Sequence, residues 1–258
     1  MIVSPPARRP FQGALQILQF NWPFYAIGLT VIVAAVLFLA FIPLPSLLKW
    51  IGWMGVALAA FWTVGSLAVS WYVYDYSPLY RWEWLAKLFP QPPNRWANFH
   101  TGLDESTTAI CALFPEAAGE VFDFYEPATM SEPSIQRARR WTTPPEPPTP
   151  VTIDRVPIED AKLDVAFVLF AAHEIRDPRR REQFFDELRR LLRPGGRIVL
   201  VEHLRDTANF VAFGPGSLHF WPGAEWRRLA DHTGLHIAEE FSMTPFVRVF
   251  VLERPTDR

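Results

Sequence analysis

The 258-residue chain has a single cysteine, Cys111, which excludes an internal disulfide. No Cys/His pair stands at the close spacing of a structural zinc site, so no metal ligand set is read from the sequence. A reducing compartment fits this cysteine usage. The formal net charge of -2 carries no basic surplus, and nothing in the composition points to nucleic acid. Charge is missing altogether from two long stretches, Arg9 to Lys49 and Lys49 to Asp75. Each gap exceeds the roughly 20 residues that cross a bilayer as helix.

Two transmembrane helices are therefore expected at about 23–41 and 51–74, within an N-terminal unit of residues 1–80. Ile42-Pro43-Leu44-Pro45 makes the turn between them, because two prolines stop a helix. A cleaved signal peptide does not fit, since the apolar run is long and no small-residue cleavage site follows. Arg8 and Arg9 precede the first span, and Arg81, Lys87 and Arg95 follow the second, against one lysine in the connection. This bias predicts an integral protein of the cytoplasmic membrane with its N-terminus and C-terminal domain cytoplasmic. Gly52, Gly55 and Gly65 predict a smooth side on the second helix for close packing. Residues 81–95 read as an interfacial linker, because aromatics are interleaved with charges from Tyr74 to Leu85.

From about residue 96 to 258, short apolar runs alternate with amphipathic stretches, the pattern of a mostly parallel α/β sheet. Strands are expected at Trp96 to His100, Glu120 to Phe124, Val165 to Phe170 and Arg197 to Val201, with a weaker one at Val151 to Ile153. His236 to Phe241 and Phe246 to Leu252 predict a C-terminal antiparallel hairpin. Asp177 caps a helix with Pro178 at its first position, and Phe184, Phe185, Leu188, Leu191 and Leu192 share one face. Arg193-Pro194-Gly195-Gly196 ends that helix. Arg179-Arg180-Arg181 reads as its solvated face, and the proline-rich stretch Trp141 to Pro150 as a stiff loop.

Ligands of a parallel sheet bind at the carboxyl ends of its strands. Those ends are polar here: His100-Thr101-Gly102-Leu103-Asp104-Glu105, then Asp123 and Glu126, then His173-Glu174, then Glu202-His203. Their convergence predicts a pocket. The segment Phe213 to Trp221 reads as a tight aromatic loop, suited to cover an apolar substrate, to pack on the membrane or to close the core.

Val156 to Phe167, followed by Arg181 to Val201 with its Leu-Arg-Pro-Gly-Gly turn and then Glu202-His203, resembles the class I S-adenosylmethionine-dependent methyltransferases over roughly residues 95–258. The resemblance implies a Rossmann-like sheet and S-adenosylmethionine as cofactor. It assigns Asp123 to the cofactor ribose, and Gly102, Asp104 and Asp154 to cofactor contacts. His173 then lies near the transferred methyl as a base or substrate-orienting residue. Two departures stand out: the loop after the first strand has one glycine, and Thr152 occupies the position of the family's adenine-binding acid, with Asp154 two residues on.

Two functions remain open on the sequence. One is a membrane-tethered methyltransferase acting on a lipid-soluble small molecule. The other is a methyltransferase-like pseudoenzyme that docks through its hairpin on a larger membrane complex. A metal-dependent hydrolase lacks recognisable ligand spacing.

Overall fold

The computed structural model describes residues 9–141 and 147–256. Arg8 and residues 142–146 of the proline-rich stretch lie outside the described residues.

The chain opens with a helix that the sequence pattern did not predict, α1 (Gln12–Phe20). Its first free N–H groups, on Gly13 and Ala14, donate to the two carboxylate oxygens of Asp75 at 2.8 and 2.9 Å. A carboxylate there satisfies orphan donors and complements the helix dipole. The bond ties α1 to the far end of the hairpin. α2 (Trp22–Phe41) follows, with Pro23 in its first turn, and then α3 (Ser46–Trp71), which continues through a π-turn at Tyr72–Tyr76. α3 starts five residues earlier than expected, directly after Pro45, so Lys49 sits in its first turn rather than in the loop.

Both helices are long and apolar enough to cross a membrane. Large side chains such as Leu29, Val31, Met54 and Val64 stay exposed along them, unlike those of a buried core helix. The two helices touch closely at Gly52, where an added Cβ would lie 2.5 Å from Leu39. The Tyr25 and Ser66 hydroxyls meet at 3.2 Å. The expected common glycine face is not found: Gly55 and Gly65 have no neighbour within 4 Å. At about 100° per residue Gly65 lies roughly 140° round the helix from Gly52.

The linker, residues 81–95, packs part of its side chains onto the domain. Leu79 on a 3-10 turn (Leu79–Arg81), Trp82, Leu85 on α4 (Glu83–Ala86) and Leu88 are all buried, against one face of the sheet.

The domain then runs β1 (Arg95–His100), α5 (Thr107–Leu113), β2 (Ala118–Asp123), α6 (Pro133–Trp141), β3 (Thr149–Pro150), β4 (Leu163–Leu169), α7 (Pro178–Leu191), β5 (Leu192–His203), α8 (Thr207–Phe213), α9 (Gly223–His232), β6 (His236–Thr244) and β7 (Val247–Glu253). The seven strands lie in the order β3-β2-β1-β4-β5-β7-β6. β1 to β5 pair in parallel, and β7 runs antiparallel to both β5 and β6. This is the expected mostly parallel sheet with a C-terminal antiparallel hairpin. The weak third strand is only the two-residue β3, slightly ahead of its expected place.

α7 forms as its sequence dictates. The Asp177 carboxylate accepts the Arg180 N–H at 3.0 Å, Pro178 opens the first turn, and Phe184, Phe185, Leu188 and Leu191 are fully buried. At the turn into β5, an added Cβ on Gly196 would lie 2.9 Å from the carbonyl oxygens of Leu163 and Arg193, and Gly195 has φ +76°. Only glycine passes there without strain.

The solvated reading of the basic run fails at Arg181, which has no exposed surface. It donates to the Ile175 carbonyl and to Glu225, both at 2.6 Å, and lies 4.1 Å from the Trp221 ring. These partners are distant in sequence and neutralise a charge that could not otherwise be buried.

The hairpin and the domain also meet through α8. The Trp62 and Phe210 rings lie 5.9 Å apart, and Gly214 (φ +55°) passes so close to Trp62 that a Cβ would come within 2.7 Å. Phe210 and Val211 on α8 and Phe11 and Leu15 at α1 remain exposed beside the apolar helices.

Candidate functional site

The carboxyl ends of β1, β4 and β5 open into a cavity of about 570 Å³, within the range of small-molecule sites. Its walls combine strand-end residues with Ile17 and Phe20 of α1, Tyr25 of α2, and Ser66, Ser70 and Tyr74 of α3 and its π-turn. Three of the four expected polar strand ends thus converge, the end of β2 lying outside the cavity lining, and apolar helices close its other side. The aromatic loop also contributes: Phe220 stacks on His203 at 5.0 Å, and both line the cavity.

At the end of β1, the Asn98 amide donates to the Ser106 and Thr107 hydroxyls at 3.0 and 2.8 Å. Asp104 Oδ1 accepts the Ser106 and Thr107 N–H groups at 3.0 and 2.9 Å, so this carboxylate holds the start of α5. Gly102 N–H donates to His100 Nδ1 at 3.1 Å. Burial holds the His100 imidazole below its usual pKa despite Asp104 and Asp123, so the neutral ring carries its proton on Nε2. That N–H is buried and unpartnered among the described residues, and His100 lines the cavity.

β2 ends in Asp123. Its Oδ1 accepts the Tyr125 N–H at 3.0 Å, and its Oδ2 pairs with Arg139 at 2.7 Å. Arg139, from α6, also donates to the Thr101 carbonyl at 3.0 Å and lies over the Tyr125 ring at 4.3 Å. Gly102, with φ +135°, makes room for it: a Cβ there would lie 2.3 Å from Arg139 Cγ. Asp154 is exposed, and a hydrogen bond from the Thr152 side chain holds its carboxyl below the usual range. Neither Asp123 nor Asp154 lines the cavity.

At the end of β4, Phe170 adopts φ +55°, an uncommon conformation for a bulky residue, and leads into the 3-10 turn Ala172–Glu174. His173 is clamped by two carboxylates, Nδ1 to Glu202 at 2.7 Å and Nε2 to Glu174 at 3.1 Å. Burial opposes its charge, but Glu202 and Glu174 overcome that cost and push its pKa up to about 10. An imidazolium so held donates at both nitrogens and orients its surroundings; it has no lone pair with which to take a proton. Burial opposes the charge of Glu174 as well, and the His173 and His219 rings bring its carboxyl well below the usual range.

His203, at the end of β5, is the opposite case. Burial lowers its pKa to about 4, so it is neutral at pH 7. Nδ1 lies 2.9 Å from the Phe246 carbonyl, which can only accept, so Nδ1 bears the proton. Nε2 therefore accepts from the Tyr74 hydroxyl at 2.7 Å. His203 is thus a second neutral imidazole in the cavity, beside His100. Tyr74 was legible only as a membrane-edge aromatic, because its partner lies 129 residues away in sequence.

A family described as "Methyltransferase domain" matches residues 119–200. A SAM-dependent methyltransferase from Aquifex aeolicus superposes with a TM-score of 0.51 at 14% identity, over 66% of this chain and 88% of that one. An O-methyltransferase family protein from Burkholderia thailandensis also gives 0.51 at 14% identity, over 79% and 63%. A Haloferax volcanii putative methyltransferase, solved with the Trm112 methyltransferase activator, gives 0.48 at 18% identity, over 67% and 87%. No curated protein matches the chain.

Of the residues expected to hold S-adenosylmethionine, Gly102, Asp104, Asp123 and Asp154 all lie outside the cavity lining, so the fit rests on the chemistry of the groups beside it. The orphan His100 N–H offers a donor in the cavity wall, suited to an anionic or carbonyl group, and the β2 acid has the chemistry to accept two ribose hydroxyls. Arg139 occupies that acid and must release it. Its side chain is about one-third exposed. The strand order, the antiparallel β7 between β5 and β6, and the match to a methyltransferase domain over residues 119–200 agree: the chain has the fold of the class I methyltransferases, and the match supports S-adenosylmethionine as its cofactor.

Proposed function

We propose that the protein is a membrane-anchored methyltransferase whose acceptor is a lipid-soluble small molecule entering the site from the bilayer. One observation carries this reading: a single cavity is lined both by the strand ends and by Tyr25, Ser66 and Ser70 of the two apolar helices. A water-soluble acceptor has no use for such walls, whereas an amphiphile places its head at the strand ends and its tail along the helices. The basic residues flanking the helices favour a cytoplasmic domain, from about residue 96, with both termini on that side. The exposed apolar residues of α1 and α8 support a domain resting against the bilayer.

When bound, S-adenosylmethionine supplies an electrophilic methyl group. Asp123 would hold its ribose once Arg139 leaves. Gly102 gives the backbone room for the cofactor, Asp104 shapes the loop beside it, and Asp154 lies at the adenine side. His173 orients the acceptor through its fixed charge. His203, neutral and bonded to Tyr74, is the group able to take a proton relayed through that hydroxyl.

Calorimetric titration of the detergent-purified full chain with S-adenosylhomocysteine tests the reading. One site per chain is expected, with affinity lowered at least about tenfold in Asp123→Ala. No heat at millimolar ligand would sink it. The Arg139–Asp123 pair favours a second reading, a pseudoenzyme subunit of a larger membrane complex. That reading requires a stable assembly on gentle extraction and native sizing; a clean, cofactor-binding monomer rejects it.

A further inference from the structure

We propose that His173, Glu174 and His219 form a binding site for one divalent transition-metal ion in the cavity wall. Zn²⁺ is the ion best matched to the donors. The three residues each offer a ligand atom, all within 4.8 Å of one another. Glu174 Oε1 lies 3.1 Å from His173 Nε2 and 3.5 Å from His219 Nε2. Two donors about 2.05 Å from a tetrahedral ion stand about 3.3 Å apart, so these distances bracket the edge of such a site.

Three further features set the group apart from a chance cluster. The second oxygen of Glu174 is buried and has no partner among the described residues, a costly arrangement that an ion held by both carboxylate oxygens would relieve. Each histidine also has a carboxylate at its other nitrogen: Glu202, itself fully buried, at 2.7 Å from His173 Nδ1, and Glu132 at 3.4 Å from His219 Nδ1. A carboxylate behind a histidine fixes the ring and leaves Nε2 for the metal, as at catalytic zinc sites. The backbone is held as well, since Arg176 Nη1 donates to the His219 carbonyl at 2.6 Å and the His173 carbonyl at 3.2 Å.

Two histidines and one carboxylate form an open ligand set, to which water or an oxygen of a bound molecule adds. All three residues line the cavity, so the added ligand comes from there. The ion takes the place of the proton that otherwise bridges His173 Nε2 and Glu174, and its uptake releases that proton. Metal binding stands independently of methyl transfer. Coordination of an acceptor's hydroxyl or carbonyl oxygen rests on the function proposed above.

Tag-free full chain, stripped with chelator in detergent, is titrated with Zn²⁺ by calorimetry and with Co²⁺ by visible absorption. One ion per chain is expected, with the intense Co²⁺ bands of a four-coordinate site. His219→Ala, at a partly exposed position, should abolish the bands, and Glu202→Gln should weaken Zn²⁺ binding by about 10- to 100-fold. Absence of a stoichiometric ion in the wild type, or unchanged bands in His219→Ala, overturns the site. S-adenosylhomocysteine affinity is measured on the same samples. Retained affinity in a chain that takes up no metal overturns this inference alone and leaves the methyltransferase reading standing.

Discussion

Replacing Arg139 by alanine should tighten cofactor binding, an unusual outcome for removing a cation from a site. Arg139 reaches Asp123 at 2.7 Å with side-chain exposures of 32% and 12%, so the pair is partly screened and contributes about 0.5–1 kcal/mol. Its stacking over Tyr125 at 4.3 Å adds about 0.5–1 kcal/mol. A ligand that takes Asp123 must first break both. Removing them in advance should therefore strengthen S-adenosylhomocysteine binding by about 1–2 kcal/mol, or roughly 5- to 30-fold in Kd. The assay is calorimetric titration of wild-type and Arg139→Ala full chain in the same detergent. Thermal unfolding without ligand should show a slightly less stable variant, because Asp123 loses its partner. Unchanged or weakened affinity would refute the reasoning, since it would mean that Arg139 does not compete for Asp123.

Three further outcomes follow from the packing and the charges. Arg181→Ala empties a fully buried position and removes the bonds to the Ile175 carbonyl and to Glu225, which keeps Arg228, and should cost about 2–5 kcal/mol in thermal or denaturant unfolding. Asp75→Ala removes the carboxylate that accepts the Gly13 and Ala14 N–H groups. It should cost about 1–2 kcal/mol and make the α1 segment open to proteolysis, with an unchanged cleavage pattern counting against the tie between α1 and α3. His203 has a folded pKa near 4 against about 6.5 unfolded, so the unfolded chain binds more protons between those values. Its contribution of about 3 kcal/mol is complete above pH 6.5 and is lost as pH falls toward 4. His203→Asn should flatten that slope in a pH series of unfolding curves.

The parts of the fold that depend on local pattern were legible in the sequence. Charge-free runs marked α2 and α3, Asp177-Pro178 marked the start of α7, and apolar runs marked β1, β2, β4, β5, β6 and β7 to within a few residues. What escaped depends on contacts between distant positions. α1 is short, and it is held by Asp75, about sixty residues away. Arg181 looked solvated until Trp221 and Glu225 closed over it. The segment after Tyr74 has the composition of a membrane edge, yet its aromatics and leucines complete the helical layer over one face of the sheet. The same holds at the site: strand-end positions pointed to His173 and Glu174, but the pairing of His173 with Glu202 of β5 and the approach of His219 from the aromatic loop join distant positions. The link between cavity and hairpin had no local signal, because Ser66 and Ser70 read only as small residues of an apolar helix.

The central claim is that one chamber joins the cofactor site to the bilayer, and methyl transfer by the chain reconstituted in lipid vesicles tests it most directly. Methyl-labelled S-adenosylmethionine is supplied outside vesicles carrying membrane-extracted lipids, and label is counted in the organic phase. The account predicts label transferred by the wild type, and transfer lost in Ser70→Trp, which fills the helical wall of the cavity, with S-adenosylhomocysteine affinity unchanged. Label confined to water-soluble products, or full transfer to lipid by Ser70→Trp, would contradict it.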